Sequence, residues 1–135
     1  MPFTGKVGDT LHLSDDGGGH RYVIITPPNS NGNVVIVNFT YKGYWKEWLV
    51  TFRPKDNKRL FSKKTTVNYA DARIVPVQTL IDIAETAPSN DYVFCHHYHS
   101  KEIAIGALKS QFTPVEVLEE LQVHYPDEYA KYVTT

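Results

Sequence analysis

The sequence predicts an α+β fold in which a small, highly curved β-barrel is followed by C-terminal helices. Short β-rich runs separated by turn signals fill residues 1–75, whereas residues 76–135 show helical periodicity. The length supports one core, because 135 residues lie within the usual range of roughly 100–200 for one domain. We therefore expect a single domain over 1–135, with the barrel in 1–75 and a mostly helical extension in 76–135.

The barrel strands are predicted from β-branched and aromatic runs that end at Gly, Pro or Asn. They are expected over residues 10–13, 20–26, 34–40, 41–52, 65–69 and 72–75. The runs 20–26 and 34–40 are almost entirely apolar and are joined by a short Pro/Asn/Gly loop. This pattern is typical of a central hairpin that is buried on both faces.

The helices are predicted from apolar spacing and from capping residues. Val77, Leu80, Ile81 and Ala84 recur at i, i+3, i+4 and i+7, which indicates a helix that ends before Pro88. A second helix is expected to begin at Ser100. A third is expected to begin at a capping box formed by residues 113–116, Thr-Pro-Val-Glu. Residues 92–95 are expected to form one more edge strand.

The charge distribution is uneven although the formal net charge is −1. Residues 41–75 carry nine Lys and Arg against three Asp and Glu, a net of +6, whereas residues 76–135 carry three against nine, a net of −6. The total excludes an overtly basic nucleic-acid binder, but the basic region suits an anionic partner. No apolar run approaches the roughly 18 residues of a membrane span, and the single cysteine allows no internal disulfide, so a cytoplasmic location is expected.

The first candidate site lies in the turn and strand Gly17-Gly18-Gly19-His20-Arg21. A flexible turn there delivers an imidazole and a guanidinium to the start of a central strand. An imidazole beside an arginine can act as an acid or a base on a phosphodiester. The alternative is a hairpin turn followed by a surface histidine.

The second candidate is a group of imidazoles at His96, His97 and His99, close to Cys95 and with His124 further along the chain. Imidazole and thiolate are zinc ligands, but the spacing supplies fewer ligands than a C-x2-C paired with an H-x3-H. A set of surface histidines is the alternative, and no metal and no cofactor are assigned.

The third candidate is a basic segment interleaved with aromatic residues. Its cations are Arg53, Lys55, Lys58, Arg59, Lys63 and Lys64, and its aromatics are Trp45, Trp48, Phe52 and Phe61. Cations attract phosphates, and aromatic faces stack unpaired bases. The alternative is a solvated hairpin above a core that contains the aromatic side chains.

The strand motifs of the first half resemble the PemK/MazF toxin fold, a small SH3-like barrel. The Gly-Asp-hydrophobic opening strand of that family is matched by residues 8–13. Its Arg-Pro-hydrophobic strand is matched by residues 20–26, and its second strand, which ends in Thr, by residues 34–40. The arginine position of the family falls on His20, its proline falls on Arg21, and its threonine falls on Thr40.

The chain is also similar, over most of its length, to a group of small uncharacterised bacterial and phage proteins related to those toxins. The shared motifs are matched by residues 20–27, 37–40, 65–72 and 106–114. Where members of that group carry an Asp-His-Pro-Phe-Ile segment and a further histidine, this chain has residues 57–61 (Asn-Lys-Arg-Leu-Phe) and Lys63. These basic substitutions suit phosphate binding.

The resemblance implies that the protein acts on single-stranded RNA without a metal, as a homodimer and with an antitoxin protein as a partner. The leading hypothesis is therefore a protein that binds single-stranded RNA and, as a further step, cleaves it with His20 and Thr40. The residues expected to bind the RNA are Arg21, Trp45, Lys58, Arg59, Lys63 and Lys64. The second hypothesis is a non-catalytic module that acts through protein–protein contacts of its acidic helices, and the third is a zinc protein built on Cys95, His97 and His99.

Overall fold

A computed structural model describes residues 3–15, 18–41, 47–86 and 93–133 of the chain. Its elements are β1 (Thr10–Asp15), β2 (Gly18–Ile24), β3 (Asn33–Thr40), β4 (Thr51–Phe52), β5 (Thr65–Pro76), α1 (Val77–Thr86), α2 (His97–Lys109), α3 (Val115–His124) and α4 (Pro126–Tyr132). The predicted α+β class, with the strands first and the helices after residue 76, is confirmed.

The strands form one antiparallel sheet in the order β1-β2-β3-β5-β4, which curls into a half-barrel. The predicted central hairpin is present as β2 and β3, with Val23 paired to Val37. Its two-sided burial is also confirmed, since residues 22–26 and 34–40 are buried throughout. Strongly apolar runs of this kind occur where both faces of a strand are covered.

The last long strand corrects one expectation. Residues 65–69 and 72–75 belong to a single strand, β5, and not to a pair of strands. Ile36 pairs with Arg73 but Asn38 pairs with Asn68, so residues 69–72 stand opposite Val37 alone. This bulge interrupts the alternation of side chains and bends the strand, which explains why the sequence reads as two separate runs.

Both faces of the sheet are covered by helices. On one face, Val23, Val37 and Phe39 pack with residues from α2 and α3 that include Ile103 and Leu121, and we call this the α2–α3 face. On the other face, which we call the α1 face, a second apolar cluster packs against Leu80 of α1. The periodic stripe predicted for residues 77–84 is thus a real helix face, with Leu80 buried.

The starts of the other helices differ from the expectations. α2 begins at His97, where the side chain of His96 accepts a hydrogen bond from the Tyr98 amide at 3.1 Å, whereas Ser100 lies inside the helix. The prediction of a capping box at the start of α3 is also wrong. Thr113 donates to the carbonyl oxygen of Ala107 at 2.6 Å instead of capping α3.

Two expected strands are shorter than predicted. In residues 41–52, the described strand is Thr51–Phe52, and residues 42–46 lie outside the described ranges. In residues 92–95, Phe94 makes an isolated bridge with Asp9, and Tyr92 lies outside the described ranges. Within the described ranges, no helix has both the length and the apolar character needed to cross a bilayer.

Burial of Cys95 leads to a pH-dependent prediction. Cys95 is a free thiol with no exposed surface, and burial raises its pKa from 9.0 to about 12. The thiol therefore favours the folded state below pH 9, and this contribution is lost as the pH rises toward 12. At pH 8 we expect Cys95 to react with a disulfide reagent at least about 100-fold more slowly in the native protein than in the unfolded protein, because the thiolate is the nucleophile. Equal rates in the two states would contradict this burial.

Candidate functional site

The candidate site lies where β2 and β3 separate. The last residue pair of the β2–β3 ladder is Tyr22 with Asn38. Beyond it, β2 stays paired with β1 as far as Gly18, and β3 stays paired with β5 as far as Thr40. The start of β2 and the end of β3 therefore flank a gap in the sheet.

A cavity of about 310 Å³ occupies this gap. Its wall is formed by His12 of β1, by Gly19, His20 and Arg21 of β2, by Phe39, Thr40 and Tyr41 at the end of β3, and by Leu60, Ser62 and Thr65. The volume lies at the lower end of the range of roughly 300–1,000 Å³ for small-molecule sites. It therefore suits a phosphate with its sugar better than a long segment of a ligand.

His12 and Arg21 face the cavity from the same side of the sheet. They are paired across the β1–β2 ladder, and paired residues in an antiparallel sheet share a face. Arg21 precedes Val23 of the α2–α3 face by two residues, so both side chains lie on that face. Gly19 makes room for the imidazole, because a Cβ atom at Gly19 would overlap the His12 ring.

The guanidinium of Arg21 is held by a buried hydroxyl. Its Nη1 donates to Oγ1 of Thr10 at 3.1 Å, and Thr10 is 1% exposed. The Thr10 hydroxyl donates its only proton to the carbonyl oxygen of Val93, so its oxygen can accept from Arg21. Arg21 is thereby linked through Thr10 to the segment that leads into α2.

His20 and Thr40, the two predicted catalytic residues, both line the cavity together with Arg21. Strand alternation turns His20 away from Arg21 and toward the α1 face, since His20 is paired with Leu13, which packs on that face. Thr40 is four residues beyond Ile36 of the α1 face and has the same orientation. The cavity contacts residues of both faces because the strands separate there.

Four of the predicted RNA-binding cations lie next to the cavity, whereas the fifth, Arg21, lines its wall. Lys58, Arg59, Lys63 and Lys64 are exposed on the segment that contributes Leu60 and Ser62. The ammonium of Lys63 lies 4.3 Å from the centroid of the Tyr41 ring, which brings this cation to the mouth of the cavity. Lys64 lies 5.6 Å from the ring centroid of Trp48. Trp45 lies outside the described ranges.

Two of the aromatic residues proposed to stack bases belong to the core. Phe52 and Phe61 are at most 2% exposed, and their rings stack on each other at 4.9 Å. The ring of Phe39 packs edge-on against Phe61 at 5.1 Å. For this pair the alternative interpretation, a core that contains the aromatic side chains, is the correct one.

The histidine cluster does not form a metal site in the described part of the chain, where no three His, Cys, Asp or Glu side chains are arranged to hold an ion. Cys95 is buried, and Nε2 of His124 lies 3.0 Å from a carboxylate oxygen of Glu120 on the same helix. The zinc hypothesis therefore has no geometric support.

Sequence reasoning missed several residues of the cavity wall, of which His12 and Tyr41 matter most for its chemistry. The signal for His12 was available, since it alternates with Leu11 and Leu13 and must point away from both of them. Tyr41 follows the apolar run of β3 and carries no pattern of its own. Its position depends on contacts that are distant in sequence.

Comparisons with known proteins give no relative from which a function could be transferred: no protein-family model, no curated protein and no solved structure matches the chain significantly. The site must therefore be interpreted from its own geometry.

The Thr10 link predicts a stability effect. Thr10→Val keeps the shape of the side chain but removes the hydroxyl that joins Arg21 to Val93. We expect a loss of about 1–3 kcal/mol in the free energy of unfolding, measured by urea denaturation, because buried polar groups lose their partner. Thr10→Ser should retain most of the stability, and Thr51→Val at an exposed position of β4 is the matched control. A Thr10→Val protein as stable as the wild type would show that the link is unimportant.

Proposed function

We propose that the protein binds single-stranded RNA with a phosphate in the gap between β2 and β3, and that it cleaves the RNA there. The observation that carries this proposal is the cavity itself, which gathers His12, His20, Arg21 and Thr40 at one opening of the sheet. Two imidazoles can serve as the general base and the general acid of phosphodiester cleavage, and an arginine can stabilise the charge on the phosphate.

The surroundings of the cavity favour a polyanion. Lys63 lies at its mouth, and further exposed cations lie on the same segment, which contributes Leu60 and Ser62 to the wall. Cations near a phosphate backbone release its counterions, which makes binding depend on salt. These cations thus attract an extended RNA strand, and the cavity holds one of the phosphates of that strand.

The proposed cleavage needs only groups that line the cavity, and each proton that moves has a donor and an acceptor there. One imidazole takes the proton of the ribose 2′-hydroxyl as its oxygen attacks phosphorus. The imidazolium of the other gives a proton to the departing 5′-oxygen. The products are a 2′,3′-cyclic phosphate and a 5′-hydroxyl. Arg21 stabilises the charge on the phosphate oxygens, and Thr40 supplies a hydroxyl to the cavity from the end of β3.

We propose in addition that the sheet is a PemK/MazF-like, SH3-like barrel. The protein would then form a homodimer and bind an antitoxin protein. The support is the set of strand motifs together with the curled antiparallel sheet, in which the Gly8-Asp9 segment enters β1 and the β2–β3 hairpin is central. The position matched to the family arginine holds His20 at the cavity wall, with Arg21 beside it.

A second candidate function is a non-catalytic module that binds another protein through α3. Val115 and Val123 on this helix are 67% and 71% exposed, which favours a contact there. Large apolar side chains left in water on one helix suit a protein interface.

The cleavage proposal predicts the effect of removing either imidazole. Purified protein is incubated with short single-stranded RNA of mixed sequence, and the products are separated and their ends identified. We expect His12→Ala and His20→Ala each to slow cleavage by about 100-fold or more, because each removes a proton-transfer group. The matched control is His97→Ala, an exposed histidine outside the cavity, which should cleave at the wild-type rate.

Binding is measured separately with DNA of the same sequence, which lacks the attacking hydroxyl. We expect Arg21→Gln to weaken this binding and to lower the slope of log K against log salt by about one. Binding without cleavage by the wild type would refute the catalytic half of the proposal. No salt-dependent binding of RNA or DNA would refute it entirely and would leave the protein-binding candidate.

A further inference from the structure

Tyr41 is an exposed aromatic residue at the mouth of the cavity. It directly follows Thr40 and lines the cavity, yet 57% of its surface remains in contact with water. Two nearby aromatic residues differ from it in exposure, since Phe39 and Phe61 are buried on the α2–α3 face. Tyr41 is therefore placed to contact a ligand that extends out of the cavity.

Lys63 is the immediate neighbour of the Tyr41 ring. Its ammonium lies 4.3 Å from the ring centroid, within the range of roughly 6 Å for a cation–π contact. Both residues are exposed. Cation–π attraction at an exposed site is weaker than the stacking of a nucleobase on an aromatic ring, so a base can displace the ammonium from the ring face.

The size and opening of the cavity indicate which part of a bound nucleotide contacts Tyr41. A volume of about 310 Å³ accommodates a phosphate and its sugar, and the exposed Tyr41 ring lies at the opening through which the attached base can extend. A base in that position meets the Tyr41 ring, and the ammonium that it displaces stays close to the phosphates on either side.

We propose that Tyr41 stacks an unpaired nucleobase at the mouth of the cavity, while Lys63 moves from the ring to a neighbouring phosphate. This inference rests on the proposed function, because it assumes that a phosphate occupies the gap between β2 and β3. It defines the ligand further: the nucleotide bound there must have a base that is free to leave a helix. Stacking tolerates every base, so this contact selects an unpaired base without reading its identity.

The test measures binding of a single-stranded DNA that carries 2-aminopurine, whose fluorescence is quenched when the base stacks. DNA lacks the 2′-hydroxyl and therefore remains intact. We expect wild-type protein to quench the probe and Tyr41→Ala to bind it about 10-fold more weakly with little quenching. Tyr41→Phe should bind and quench as the wild type does, because the ring is retained.

The matched control is Tyr98→Ala, since Tyr98 is 69% exposed but belongs to α2 rather than to the cavity. This variant should leave binding unchanged. Wild-type binding combined with an unaffected Tyr41→Ala protein would overturn the stacking inference and leave the proposed function standing. An equal loss in Tyr41→Phe and Tyr41→Ala would overturn it as well, because the hydroxyl would then be the group that matters. No binding by the wild type would refute the proposed function instead.

Discussion

The hydrogen bonds of residues 8–10 are the interactions on which the site and the sheet edge both depend. The buried carboxylate of Asp9 accepts the backbone amides of residues 4–6 through one oxygen, at 2.9, 2.9 and 3.1 Å. Gly8, at φ = 95°, donates to the carbonyl oxygen of Ile24 and accepts from the Cys95 amide. Thr10 adds the link to Arg21. Removing any of these partners would leave buried polar groups unpaired, which is more costly than a lost contact in water.

The fixed start of β1 and the bulge in β5 together explain why the sheet opens at the site. β2 remains paired with β1, and hydrogen bonds of residues 8–10 fix the start of β1. β3 remains paired with β5 on both sides of the bulge at residues 69–72. A bulge bends the strand that contains it and increases the local twist. The two central strands therefore separate, and residues of both sheet faces come together at one opening. Sites that are formed by rigid strands in this way hold their side chains in fixed positions.

Much of this fold could be predicted from the sequence, because the runs 20–26 and 34–40 and the stripe of α1 carry strong local signals. The bulge of β5 could not, since it breaks alternation in the same way that a turn does. The site was predicted in part. His20, Arg21 and Thr40 were recognised from a turn and from strand motifs, but the choice between the two faces of β2 requires the register with β1. That register makes His12 the imidazole that shares a face with Arg21.

The central claim is that a nucleotide phosphate binds in the gap between β2 and β3. Its most direct test is a titration of 15N-labelled protein with a short single strand of DNA, followed through the backbone amide resonances. We predict saturable shift changes at Gly19, Arg21, Thr40 and Tyr41, with the amides of α4 unchanged. Changes confined to α3 and α4, or no changes at all, would contradict the claim.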